Sequence, residues 1–454
     1  MQHKVIVVGA GLAGSEAAWQ LAERGVFVHL YEMRPKKTTP AHHTGAFAEL
    51  VCSNSLKSLD AATAAGTLKH ELAVLGSFVL ACALESRVPA GGALAVDRET
   101  FSALVSQRLS THPGIEVHNE ELTDIEGIRA GGTPVIIATG PLTSDALADN
   151  LTALIGQERL AFFDAAAPIV EADSLDRERL FAQSRYDKSG ADYLNAPMTQ
   201  EHYEAFIHEL TSAQRVILKE FEGADLFQAC QPVEEVARCG LDTLRYGALK
   251  PIGLTEPKTG RRPWAVVQLR PENKAGTAYN LVGFQTNLSF SEQQRVFRMI
   301  PGLEHAVFAR YGVMHRNTFI DAPQVLDRSL ALRADTQIRF AGQITGTEGY
   351  VEAIGTGLFA ALCTYAQLLG KEPPRLPKEG VLGALLAYAT DPTVTDYQPL
   401  HVNYGIMAPL DPPIKRKRER YAAYSKRALH AMEDFRAQQG HLSFVPAYEM
   451  PSLQ

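Results

Sequence analysis

The sequence predicts an α/β protein in which a Rossmann-like dinucleotide-binding domain is interrupted by an inserted α+β domain. Three observations predict it. The chain opens as strand, glycine turn, helix and strand; a second strand and glycine-marked helix start recur near residue 340; and the stretch between is cut into short β-like pieces by Pro and Gly. The dinucleotide-binding part is assigned to residues 1–163 and 322–454, the insert to residues 164–321.

The opening strand is the apolar run at residues 4–8, followed by the glycine turn at 9–14. A helix is expected over 15–24, with Gly25 placed to end it, and a second strand over 26–31. Residues 134–138 form another sheet strand that meets the turn Thr139-Gly140-Pro141. Residues 338–341 are a short strand, and the long apolar pattern 350–369 suits a buried helix. Within the insert, residues 264–269 and 279–284 read as strands. Beyond residue 376 the chain reads as loops and a basic amphipathic helix.

With 454 residues and 46% hydrophobic composition the chain can bury a large core. The aliphatic run after Lys4 is interrupted by glycine and polar residues, which argues for a strand and against a membrane span or secretory signal. Cys52, Cys82, Cys230, Cys239 and Cys363 form no C-x-x-C pair, so reduced thiols in a cytoplasm are expected, without bound metal. A net charge of −7 excludes a generally basic nucleic-acid coat. A local patch remains: residues 401–430 carry seven Lys or Arg, Lys415 and Arg416 among them, against Asp411 and Glu419.

Gly9-Ala10-Gly11-Leu12-Ala13-Gly14 matches G-x-G-x-x-G, with a strand before it, a helix after it and Glu32 closing the next strand. Gly9 permits the turn, Gly11 lets backbone approach a pyrophosphate, and Gly14 lets helix pack on strand. Glu32 would accept hydrogen bonds from adenosine ribose hydroxyls. Thr139 and Gly140, at a strand's carboxyl end, join this cofactor-binding set. The fingerprint serves FAD and NAD alike. The segment Phe340-Ala341-Gly342-Gln343, followed by a helix start, resembles the one by which flavoproteins of the glutathione-reductase type hold their flavin. That resemblance implies FAD, with Gly342 and Gln343 beside it.

Several longer motifs resemble the bacterial FAD- and folate-dependent tRNA uracil-C5 methyltransferase family. They are Val51-Cys52-Ser53-Asn54-Ser55-Leu56, the run from Arg87 through Asp97-Arg98, Asp192-Tyr193-Leu194-Asn195 and Ala229-Cys230-Gln231-Pro232-Val233-Glu234-Glu235. Tyr311-Gly312-Val313-Met314-His315-Arg316-Asn317-Thr318 and Gly342-Gln343 through Gly349-Tyr350 complete the set, which spans nearly the whole chain.

The resemblance implies methylation of C5 of the T-loop uridine of tRNA. 5,10-Methylenetetrahydrofolate would be the carbon donor, reduced FAD the electron donor, and NADH or NADPH the source that recharges the flavin. It implies Cys230 as the thiolate that adds to C6 and Cys52 as, or near, the base that removes the C5 proton. The division of roles between the two thiols, the folate contacts and the choice between NADH and NADPH stay open at this stage, as do three alternatives: a ribosomal RNA methyltransferase of the same family, a flavoprotein that modifies the wobble uridine of tRNA, and a flavin-bound RNA-binding protein without methyl transfer. Candidate RNA-phosphate contacts are Arg34, Lys36, Lys37, Arg316, Lys415 and Arg416, together with Arg261, Arg262, Arg270, Lys274 and His315.

Overall fold

The computed structural model describes residues 3–39, 41–129, 132–156, 160–165, 167–187, 192–216, 231–273, 275–312, 314–395 and 397–451. Among these, a six-stranded sheet is ordered Ala331–Leu332, Asp335–Phe340, Val135–Ile137, Lys4–Val8, Phe27–Tyr31, Ile115–His118. All neighbours run parallel except Ala331–Leu332 against Asp335–Phe340. This is the Rossmann-like arrangement, with ligand-binding loops leaving the carboxyl ends of the strands.

The central strands are hydrophobic on both faces because helices cover the sheet: Val5, Val7, Ile136 and Ile137 have no exposure. The strand next to the edge is different. Val28 and Leu30 are buried, while His29 and Tyr31 alternate onto a half-open face.

The first helix is Leu12–Ala22 and starts three residues earlier than the sequence pattern suggests. Gly11 is its cap, in extended conformation, so the last residues of the glycine motif already belong to the helix. The expected long helix is Tyr350–Leu368. Among the described residues it is the one unbroken helix long and apolar enough to cross a membrane, and most of it is buried inside the fold. It lies against Leu12–Ala22, where a Cβ on Gly357 would fall 2.1 Å from the Ala13 carbonyl oxygen. The tail also holds the apolar helix Val381–Ala389, where loops were expected. Its first amides, at Val381 and Leu382, donate to the buried Glu71 carboxylate at 2.7 and 3.1 Å.

A second six-stranded sheet, wholly antiparallel, is ordered Phe181–Ala182, Leu194–Met198, Ala265–Pro271, Ala278–Leu281, Ile169–Glu171, Phe308–Arg310. It has its own core, including Val170, Phe206, Val267, Phe284 and Phe297, fed by residues 167–306. The larger core draws on residues 5–151 and 319–442. An antiparallel ribbon, Leu160–Ala165 with Met314–Phe319, runs where the chain leaves one core and returns to it. The chain therefore has the expected fold class, a Rossmann-like α/β unit with an α+β insert.

Candidate active site

The three glycines of the opening motif carry separable loads. Gly9 has φ +96°, and a Cβ there would lie 2.6 Å from the Ala138 oxygen. A Cβ on Gly14 would sit 1.8 Å from the Gly9 oxygen, so this position sets how closely helix and strand approach. Around Gly11 a Cβ would meet no protein atom within 4 Å, because this backbone faces an open cleft. The cleft is about 1020 Å³ and is lined by Gly9, Gly11, Leu12, Ala13, Glu32, Thr139, Gly140, Gly342 and Gln343 of the expected set. Ala10 and Gly14 build the turn without lining the cleft.

At one end Glu32 accepts the Ala10 amide at 2.9 Å and the Arg34 Nε at 2.8 Å. Burial alone would raise its pKa, but the hydrogen bonds and charge of Arg34 outweigh it and hold the carboxyl below its ordinary value. At the other end Gly342, with φ +81°, donates its amide to Thr356 Oγ1 at 2.7 Å, and Gly349, with φ +121°, opens the helix Tyr350–Leu368. Two helix amino ends thus face one cleft, a lining suited to a dinucleotide with a pyrophosphate at one helix and a ring able to carry negative charge at the other.

Cys52 stands beside this second end, between Val51 and Tyr350 of the cleft wall. The Tyr350 hydroxyl oxygen accepts the backbone amides of Cys52 at 2.8 Å and Ser53 at 3.2 Å. Three guanidiniums fasten the same loop. Arg98 donates to the Cys52 carbonyl at 3.3 Å and pairs with Glu272 at 2.7 Å. Arg270 donates to Ser53 Oγ at 2.7 Å and Asn54 Oδ1 at 2.8 Å, and Arg310 donates to the Val51 carbonyl. Burial lowers the pKa of Arg270 and Arg310; Glu272 and Tyr193 oppose that most at Arg270 and Tyr350 most at Arg310, with Cys52 a smaller opposing group at both. The sequence reading missed Arg98, Arg310 and Tyr350 as site residues. Arg98 and Tyr350 end two of the motifs quoted above, which was the available signal.

Cys230 and Lys274 lie outside the described residues. Four residues beyond Cys230, buried Glu234 accepts from Thr286 Oγ1 at 2.9 Å and the Asn287 amide at 2.7 Å. Cys82 and Cys363 are core residues with no exposure, and burial pushes both thiols up to about 12. Cys239 is exposed at the end of the helix Val233–Arg238.

Two of the RNA-contact expectations are corrected. Arg34 is 2% exposed and is ion-paired with Glu32 at 2.8 Å and Glu49 at 3.2 Å, so it belongs to the cleft and offers no charge to an RNA phosphate. Arg270 is buried under the Cys52 loop. Lys36, Arg261 and Arg262 are exposed, and Lys37 is paired with Glu121 at 2.7 Å. His315 and Arg316 lie on the strand Met314–Phe319. Lys415 and Arg416 are exposed just before the basic helix Lys417–Gln438. Tyr421 of that helix lines a second cleft of about 960 Å³ with Lys57, His401 and Gly349, and Gly349 also borders the dinucleotide cleft.

The family profile described as Glucose inhibited division protein A matches residues 4–372. Among curated proteins, the methylenetetrahydrofolate--tRNA-(uracil-5-)-methyltransferase TrmFO of Bacillus pumilus is 51% identical over 434 residues, covering 95% of this chain and 99% of the relative. The protein of the same name from Desulforudis audaxviator is 53% identical over 441 residues, covering 97% and 100%. The chain belongs to the TrmFO family. Among solved structures, Aquifex aeolicus GidA in its form II crystal aligns with a TM-score of 0.70 at 16% identity, covering 98% of this chain and 74% of that one. The chain thus shares that fold.

Proposed function

We infer that this protein methylates C5 of the T-loop uridine of tRNA, with 5,10-methylenetetrahydrofolate as carbon donor, FAD as bound cofactor and NADH or NADPH as source of electrons. The single observation that carries the reading is identity of 51–53% over nearly the full length of proteins bearing that name. The cleft agrees with it: Gly11 leaves room for a pyrophosphate, Glu32 stands at the adenosine end, and Gly342 and Gln343 lie at the flavin end.

The folate carbon arrives at the formaldehyde level, and bound reduced FAD supplies the two electrons that bring it to a methyl group. The protein's part is to activate the uracil and to move protons. A thiolate adding at C6 turns C5 into an enolate carbon able to attack the one-carbon unit, and Cys230 is proposed for that addition. Cys52 is proposed to take the C5 proton afterwards, as the folate nitrogen leaves the transferred carbon; once that carbon has been reduced to a methyl group, the C6–sulfur bond breaks and Cys230 is released as thiolate. Its surroundings support the role: cationic Arg98, Arg270 and Arg310 around the loop favour an anionic sulfur, and Tyr350 fixes the backbone that carries it. Lys415, Arg416 and the basic helix behind them are proposed to hold tRNA phosphates, because Tyr421 places that helix beside the cleft that meets Gly349. The target base must be swung out of its loop to reach the thiols.

Transfer of label from methylenetetrahydrofolate tests this, run side by side on unmodified tRNA and ribosomal RNA with S-adenosylmethionine as the alternative donor. Label in tRNA from the folate alone is expected, and Cys230→Ala abolishes it. Label carried only by S-adenosylmethionine, or only into ribosomal RNA, overturns the reading.

A further inference from the structure

The outer edge of the parallel sheet gathers three metal-ligating side chains away from the cysteines. Phe27–Tyr31 and Ile115–His118 pair with His29 opposite Glu116 and Tyr31 opposite His118. Since side chains alternate along a strand, His29, Glu116 and His118 stand on one face. His29 Nδ1 lies 3.1 Å from His118 Nε2 and 3.2 Å from Glu116 Oε2, and the third edge of the triangle, His118 Nε2 to Glu116 Oε2, is 3.9 Å. Among the described residues these three form the group of His, Cys, Asp and Glu whose donor atoms all lie within 4.8 Å of one another.

The size of the triangle is informative. Zinc bonds of about 2.0–2.2 Å in tetrahedral geometry set neighbouring donor atoms roughly 3.3–3.6 Å apart. The three observed separations bracket that value, so an ion could be bound by rotating side chains over a fixed backbone. Hydrogen bonding alone accounts for the cluster less well: one ring nitrogen of His29 faces both other donor atoms, and a single N–H there would have to be shared between them. The rings are also held in place. Tyr31 stacks on His118 at 4.5 Å with planes 14° apart, and Phe27 meets His29 edge-on at 5.2 Å. Both histidines are half-buried and the Glu116 side chain is half exposed, which leaves solvent access for a water as fourth ligand.

We propose that His29, Glu116 and His118 form a binding site for a divalent transition-metal ion of the zinc class. Two imidazoles and one carboxylate suit zinc, cobalt or nickel, whereas calcium and magnesium prefer shells built from oxygen. The ion ties the edge strand to its neighbour. Phe27–Tyr31 runs directly into Glu32, and the chain beyond His118 supplies Glu120, Glu121 and Leu122, so the clamp holds both walls of the adenosine end of the cleft. It takes no part in methyl transfer.

The test uses untagged, FAD-loaded protein stripped with a chelator and dialysed to equilibrium against micromolar zinc chloride. The comparison is the double variant His29→Ala with His118→Ala, which keeps every cysteine. Wild type is expected to retain one zinc ion per chain more than the double variant. Glu116→Gln, a half-exposed change that preserves shape, should weaken that binding by at least about tenfold while flavin absorbance and metal-free melting stay unchanged. Equal zinc content in wild type and double variant, unchanged affinity in Glu116→Gln, or saturation only at millimolar zinc overturns the proposal.

Discussion

The hydroxyl of Tyr350 accepts the backbone amide of Cys52 at 2.8 Å, joining residues 298 positions apart and fixing a thiol-bearing loop to the start of the long core helix. One oxygen serves two amides, since Ser53 also donates to it at 3.2 Å. Tyr350→Phe leaves both donors without that acceptor in a half-buried setting, at a cost of about 1 kcal/mol or more. Because the loop carries the proposed base, the loss should appear in turnover: kcat for methyl transfer is expected to fall about tenfold or more, with FAD content unchanged. Single-turnover transfer with flavin absorbance measured on the same samples checks it. Wild-type kcat in the variant contradicts the positioning role.

The glycine motif gives a prediction that separates folding from cofactor binding. A Cβ at position 14 collides with backbone at 1.8 Å, so Gly14→Ala must push helix from strand, and overpacking of this kind costs about 1–3 kcal/mol or more. At position 11 φ is −71° and no protein atom lies within 4 Å of a Cβ, so Gly11→Ala should fold normally. Its methyl group instead occupies the place where a pyrophosphate approaches. Thermal melting of the apoproteins and FAD titration are expected to split cleanly: Gly14→Ala unstable, Gly11→Ala stable and weak in FAD binding. Equal FAD affinity in Gly11→Ala and wild type runs against the assigned cleft.

These contrasts show which features are legible in a sequence and which are not. The glycine motif is local: its partners lie within one βα unit, so spacing alone marks Gly9, Gly11 and Gly14. Arginine partners are not local. Arg270 looks like any surface cation until Ser53 and Asn54 meet it from more than 200 residues away. Arg34 is misread as an RNA contact even though its main partner, Glu32, is only two residues distant, because nothing local shows that both side chains are buried. The helix Val381–Ala389 is apolar all round and shows no periodic face, and the carboxylate that receives its first amides, Glu71, is 310 residues upstream of Val381. The triangle of His29, Glu116 and His118 needs parallel strand pairing, and no spacing rule brings residue 29 to residue 118.

His42, in the cleft wall with Glu32 and Arg34, predicts an acid-side loss of stability. Burial first, then the nearby Arg34 charge, lowers its pKa from 6.5 to about 4, and the neutral ring lies 2.6 Å from Thr39 Oγ1. The folded value lies below the unfolded one, so the unfolded chain takes up the proton first as pH falls. The contribution is complete above pH 6.5 and is lost between there and about 4, up to about 3 kcal/mol. Glu32 and Glu49, both held below their ordinary values, add their own losses below about pH 4.5. Melting temperatures of wild type and His42→Gln should therefore converge between pH 6.5 and 4.5. Parallel profiles across that window would mean that His42 keeps its proton equilibrium on folding.

The basic helix predicts a salt-sensitive RNA face. Lys415 and Arg416 are exposed, and Arg416 has a solvent-facing partner in Glu419 at 3.1 Å, an ion pair of small worth that a phosphate can displace. Each phosphate contact releases counterions, so removing one lowers the slope of log affinity against log salt by about 0.7–0.9. Lys415→Ala with Arg416→Ala is expected to weaken tRNA binding at low salt and flatten that slope by one to two contacts, leaving FAD content and the KM for the folate unchanged. Lys37→Ala is the comparison on another face, where Lys37 is less exposed and pairs with the more shielded Glu121 at 2.7 Å, and it should move affinity and slope less. Filter binding of tRNA across a salt series distinguishes them. An unchanged slope in the double variant, with a loss in Lys37→Ala, would move the RNA face to the outside of the adenosine end.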